Sequence, residues 1–248
     1  MRTSTLNLIA MALLLVCGCN AFRPNGISEI KTTYDRTAAL DYAKRFWSKV
    51  NSDGYIAVKG NPAYVACPAG TPFQQIYAGG SVDEWATLPN GSIIGWDQGL
   101  NDCAHFVSSC LGTPPGDKGG GLPISSQFNT IYGQTSAHKL FVDLKSKNLV
   151  TVLFEDRTYN DAEPMLTSLQ PGDLIFYHNK DYKEYQHCAI YLGGTERRIT
   201  CHSYCRHEMS NAYPQGWDSV MISGGTSIEI NRTLGLREDQ RCTFVRIN

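Results

Sequence analysis

The sequence predicts an α+β fold in which a helix bearing Cys103 packs against an antiparallel sheet bearing His187 and His202. Three observations carry this. Asp102-Cys103 is followed by Phe106, Val107, Cys110 and Leu111 at helical spacing, after turn-forming Gly99 and Asn101. Ala39, Ala43, Phe46 and Val50 recur so as to line one face of a helix over Tyr34–Trp47. The turn Pro171-Gly172-Asp173 opens the apolar run Leu174–Tyr177, and Gln186–Leu192, a turn at Gly193–Glu196 and Ile199–Tyr204 have the pattern of a β-hairpin.

Composition narrows the class. The 248 residues carry a net charge of −1, with 42% hydrophobic and 18% charged residues, an ordinary globular balance. No basic excess points to nucleic acid, so no nucleic-acid partner is expected. No internal repeat interrupts the chain.

In chain order, residues 1–19 read as a lipoprotein-type signal peptide. Arg2 supplies positive charge, Leu6–Val16 is an apolar run too short to span a bilayer comfortably, and Gly18 precedes Cys19. Cys19 is the expected lipidation site, which would hold the chain at the cell envelope through a lipid anchor only. A simple secretory peptide is the plainer alternative. Residues 20–31 read as a tether and residues 32–248 as one domain, long enough to bury a sizeable core.

Residues 51–95 are rich in Gly, Pro and Asn and predict irregular structure with at most a short hairpin, walling a cleft. Gly112–Pro123 is Gly/Pro-dense and reads as a solvated connector, with a flexible lid as the alternative. Ser136–Asn148 predicts a helix with Ala137, Leu140, Phe141 and Leu144 inward and Lys145 and Lys147 outward.

Cys103 falls in the first turn of its helix, where free N–H groups and the helix dipole favour a thiolate. A plain buried cysteine is the competing reading for any one thiol, and Cys110 fits it. Asp102 reads as the N-cap. His105, two residues on, turns away from Cys103 and receives no role.

The run Asp102-Cys103-Ala104-His105-Phe106-Val107-Ser108 resembles the nucleophile segment of a bacterial family of papain-like amidases, relatives of the NlpC-type cell-wall peptidases. The family's usual Asn before the Phe is His105 here, and its usual Gln after the Ser is Ser109. Tyr34-Asp35-Arg36-Thr37-Ala38-Ala39 resembles the family's opening helix, Gly172–Tyr177 the strand before the catalytic histidine, and His187-Cys188-Ala189-Ile190-Tyr191 the strand that carries the base. The resemblance implies a papain-like core and a cysteine amidase or peptidase, with Cys103 as nucleophile and His187 as base. His202 is the expected orienter of His187, provided that the hairpin places both on one face of the sheet. The Cys103 N–H and the Gln98 side chain are the expected oxyanion donors. Peptide or peptidoglycan-fragment substrates follow from location and analogy, and no cofactor is expected.

Three other readings stand beside this. The same fold could transfer the acyl group to an amine or lipid. The chain could be a non-catalytic surface-binding module. Cys201, His202, Cys205 and His207 could gather a zinc ion, although their spacing is not that of a standard finger. Of nine cysteines, removing Cys17 and Cys19 leaves seven, an odd number that fits one catalytic thiol and three possible disulfides, with several thiols kept reduced and buried as the alternative.

Overall fold

Apolar periodicity and capping chemistry fix the helices. In the computed structural model, which describes residues 33–60, 62–78, 81–95, 102–179, 181, 183–193, 198–200, 202, 218–219 and 240–248, helix α1 spans Arg36–Phe46. It starts where Asp35 accepts a hydrogen bond from the Ala38 N–H, 2.9 Å. Ala39 and Ala43 are buried as expected, and Tyr42 joins them. Strands β1 (Tyr55–Ala57) and β2 (Tyr64–Ala66) form a hairpin, and β3 (Gln74–Ala78), β4 (Ser81–Thr87) and β5 (Ile93–Gly95) an antiparallel meander. The expectation of irregular structure over 51–95 is therefore corrected. Short strands carry few residues each and give weak periodicity, so pairing rather than pattern defines them.

Helix α2 spans Cys103–Leu111 and has no solvent face: all nine residues are buried. Helix α3 (Ala137–Ser146) is capped by Ser136 and buries Ala137, Leu140, Phe141 and Leu144, as its pattern predicts. Strand β6 (Val150–Arg157) leads to the short helix α4 (Tyr159–Ala162) and a 3-10 turn, Glu163–Ser168. Strands β7 (Leu174–Asn179), β8 (His187–Gly193), β9 (Arg198–Thr200), β10 (Asp218–Ser219) and β11 (Gln240–Ile247) follow.

The six-stranded sheet has the order β10-β9-β8-β7-β11-β6, with every neighbouring pair antiparallel. Strand alternation divides its side chains between two cores. Leu174, Phe176, Cys188, Ile190, Val245 and Ile247 pack against α1, α2 and α3. Ile175, Tyr177, Ala189, Tyr191, Cys242 and Phe244 pack against Ala162, Leu166 and Leu169 on the other side. A third cluster, Val50, Ile56, Cys67, Ala86 and Ile94, lies among the small sheets. These residues belong to one compact unit, Thr32–Asn248, and the fold class is α+β.

Within the Gly112–Pro123 connector, whose Thr113, Pro115, Gly116 and Lys118 are exposed, Gly119–Leu122 form a strap packed on the end of α2. Gly120, Gly121 and Leu122 donate backbone hydrogen bonds to Cys110, Gly112 and Leu111, and Asp35 donates to Gly120. A Cβ on Gly120 would come within 2.3 Å of the Tyr34 ring, so the close approach requires glycine.

Asp173 of the Pro-Gly-Asp turn is fully buried and binds Arg36 at 2.8 Å and Arg246 at 3.2 Å. It also accepts from the Gln170 N–H, 2.9 Å. Arg36 in turn reaches the Ile247 carbonyl, 2.8 Å, tying α1 to the end of β11. Removing one partner of such a buried pair strands the other charges. Asp173→Ala is expected to cost about 3 kcal/mol of unfolding free energy in urea titration, and a loss below about 0.5 kcal/mol, typical of surface positions, would refute the clamp.

Candidate active site

Helix α2 begins at Cys103, so its thiol sits at the N-terminal turn against the sheet-facing core. Cys103 and Cys188 belong to the same buried cluster, and the two thiols are hydrogen-bonded. That thiol–thiol bond, opposed by burial and joined by the charge and hydrogen bond of His187, holds Cys103 well below the ordinary thiol range. His187 opens β8, is half-buried, and stacks on the Tyr177 ring at 5.4 Å.

Cys110 and Cys242 behave differently. Burial pushes Cys110 well above the usual thiol value and Cys242 to about 12. Cys67, Cys103, Cys110, Cys188 and Cys242 are buried and outside any disulfide. Three disulfides are therefore excluded and the reduced, buried alternative holds for these five, so the odd count no longer singles out Cys103; its surroundings do. Cys201, Cys205 and His207 of the zinc reading, the oxyanion candidate Gln98 and the lipidation candidate Cys19 lie outside the described residues.

His202 lies against α2. Its ring stacks on Phe106 of α2 at 4.0 Å. Nδ1 is 2.6 Å from Asp102 Oδ2, and Nε2 is 2.6 Å from the Phe46 carbonyl. Both ring nitrogens thus meet acceptors, on Asp102 and on α1, and His202 is a partner of Asp102.

Asp102 occupies the N-cap position, but its carboxylate makes no capping bond. It accepts instead from the Ala57 N–H (2.6 Å), His105 Nδ1 (2.8 Å) and His202 Nδ1 (2.6 Å). His105 extends the chain to Asp53 Oδ2 at 2.9 Å, and Asp53 also accepts from the Tyr132 N–H at 3.0 Å. Burial alone would raise the Asp102 pKa, but the His105 charge and the bonds from both histidines bring it to about 2. Burial likewise opposes charge on His105, yet Asp102 and then Asp53 lift it to about 10. Sequence reasoning missed this network, although Asp102 and His105 stand at i,i+3, a spacing that lets helical side chains meet.

The family model described as "Putative amidase domain" matches residues 77–230, a span that contains Cys103, His187 and His202. No curated protein and no solved structure matches the chain.

Proposed function

The chain belongs to the putative amidase domain family, and from that premise of amide hydrolysis we propose a cysteine amidase or peptidase with a papain-like, NlpC-type core. The observation that carries the proposal is the Cys103 thiol, held low at a helix N-terminus by Cys188 and His187. A thiolate with an adjacent imidazole is the pair that acyl transfer needs.

In this mechanism the Cys103 thiolate attacks the amide carbonyl carbon, forming a C–S bond and an oxyanion. The Cys103 N–H, at the first helical position, is directed to that oxygen, with Gln98 as the second donor. His187 as imidazolium gives its proton to the leaving amine, the C–N bond breaks, and a thioester remains. His187 then takes a proton from water, which attacks the thioester and releases the acid and the thiolate.

The proposed substrates are peptide stems of the cell wall, reached by an exported chain lipidated at Cys19. The supporting features are the signal-like residues 1–19 and the resemblance to NlpC-type peptidases. The test is incubation of the purified protein with peptidoglycan stem peptides, reading newly released amine. Release that disappears in Cys103→Ala supports the proposal. Release unchanged in that variant, or none from any stem peptide, would count against the mechanism or the substrate respectively. Capture of an added amine in place of water would identify the acyltransferase reading.

A further inference from the structure

An aspartate placed immediately before a nucleophilic cysteine works against it. A carboxylate beside a thiol disfavours the thiolate by like-charge repulsion. Here a second carboxylate, Asp53, stands behind it, and both side chains are only 2% exposed. Water cannot screen them, so something else must neutralise them.

The hydrogen-bond directions show what does. Each nitrogen of His202 faces an acceptor: Asp102 Oδ2 and the Phe46 carbonyl, each at 2.6 Å. His105 likewise faces a carboxylate from each nitrogen, Asp102 at 2.8 Å and Asp53 at 2.9 Å; the Asn51 amide nitrogen at Nδ1 leaves its own Oδ1 buried without a partner, and turning that amide over presents Oδ1 to the Nδ1–H. A neutral imidazole has one N–H and one lone pair, so it can satisfy only one acceptor. Two acceptors per ring require an imidazolium in both cases. Two carboxylates and two imidazoliums then sum to zero charge in a fully buried cluster.

The cluster is also a mechanical junction. Through His202 it reaches the last residue of α1, through the Ala57 N–H it reaches β1, and through His105 and Asp53 it reaches Tyr132. All of these lines meet at the residue that precedes the nucleophile.

We propose that Asp102, His105 and His202 are positioning residues for Cys103, a charge-balanced junction that fixes the start of α2 while cancelling the carboxylate charge beside the nucleophile. This rests on Cys103 being the nucleophile, but its test does not require turnover. Among the described residues, the groups that face the junction are Asp53 and the Asn51 amide from the loop before β1, whose nitrogen is 3.1 Å from His105 Nδ1, and Phe46 O from α1; His187 and Cys188 of β8 act on Cys103 itself.

Removing one cation should expose the thiolate to an uncompensated carboxylate, and removing the carboxylate together with that cation should restore balance. The experiment is the pH profile of iodoacetamide alkylation of full-length protein, read by mass spectrometry on the Cys103 peptide. The variants are His202→Gln, Asp102→Asn and Asp102→Asn/His202→Gln, with circular dichroism to check folding. We expect His202→Gln to raise the Cys103 midpoint by about one pH unit and the double variant to return it near wild type. A role confined to packing predicts no recovery in the double variant. An unshifted midpoint in His202→Gln, or a double variant shifted as far as the single, overturns the proposal.

Imidazole ¹⁵N spectra of the wild type supply a second readout that needs no variant to fold. At pH 7 they should show both nitrogens protonated on His105 and His202, and a neutral tautomer on either ring overturns the charge balance. A wild-type Cys103 that alkylates as an ordinary thiol, with a midpoint near 8.5, instead overturns the cysteine-amidase reading, so the two failures are distinct.

Discussion

Cys103→Ala is expected to lower kcat/KM for amide hydrolysis by on the order of a million-fold, and His187→Ala by about a thousand-fold. The ranking follows from roles. Without Cys103 there is no acyl-enzyme, and only binding and oxyanion donors remain. Without His187 the thiolate persists in part, because the first of the interactions holding it low is the Cys188 hydrogen bond. His187→Ala should therefore raise the Cys103 alkylation midpoint without bringing it to the free-thiol value. The leaving amine, however, loses its proton donor, so kcat falls more than alkylation does. In the wild type the acid limb of the pH–rate profile should lie well below the ordinary thiol range, because a depressed pKa keeps the thiolate populated as pH falls. A His187→Ala variant with unchanged kcat/KM would remove the histidine from the mechanism.

Asp102→Ala should be the most destabilising single change in the site, by about 3–5 kcal/mol in urea titration at pH 6. That is a large fraction of the stability of an ordinary domain. The loss has a definite origin: the Ala57 N–H, His105 and His202 lose their common acceptor, and two buried cations lose half their compensation. The pH dependence of wild-type stability has two arms. The Asp102 pKa falls on folding from 3.8 to about 2, so its contribution is complete above about pH 4 and is lost as pH drops through 2. The His105 pKa rises from 6.5 to about 10, so its contribution is complete below about pH 6.5 and is lost as pH climbs toward 10. A plateau between these limits is expected, and Asp102→Ala should lose the acid arm. A variant within 1 kcal/mol of wild type, about what an exposed ion pair contributes, would show that the network is not a stabilising junction.

The elements that position the nucleophile and base were legible because each declares itself locally. Helix α2 shows turn residues before Cys103 and apolar spacing after it, α3 shows a serine cap and an inward stripe, and β7 and β8 are short apolar runs bounded by turns. What was not legible depends on distant partners. Asp102 reads as a cap until Ala57, forty-five residues before it, and His202, a hundred residues after it, arrive at its carboxylate. His105 reads from spacing alone as a residue without a role, and the structure aims it at Asp102 and Asp53.

The complete burial of α2 has a consequence for how such a chain can diverge. An amphipathic helix keeps a wet side on which substitutions drift freely, so its sequence records only a stripe. In α2 all nine positions press on neighbours, and the strap of Gly119–Leu122 closes over the carbonyls of its last turn. Adaptation to a new substrate must therefore enter through the surrounding loops and small sheets, while Cys103–Leu111 is inherited or lost as one indivisible unit.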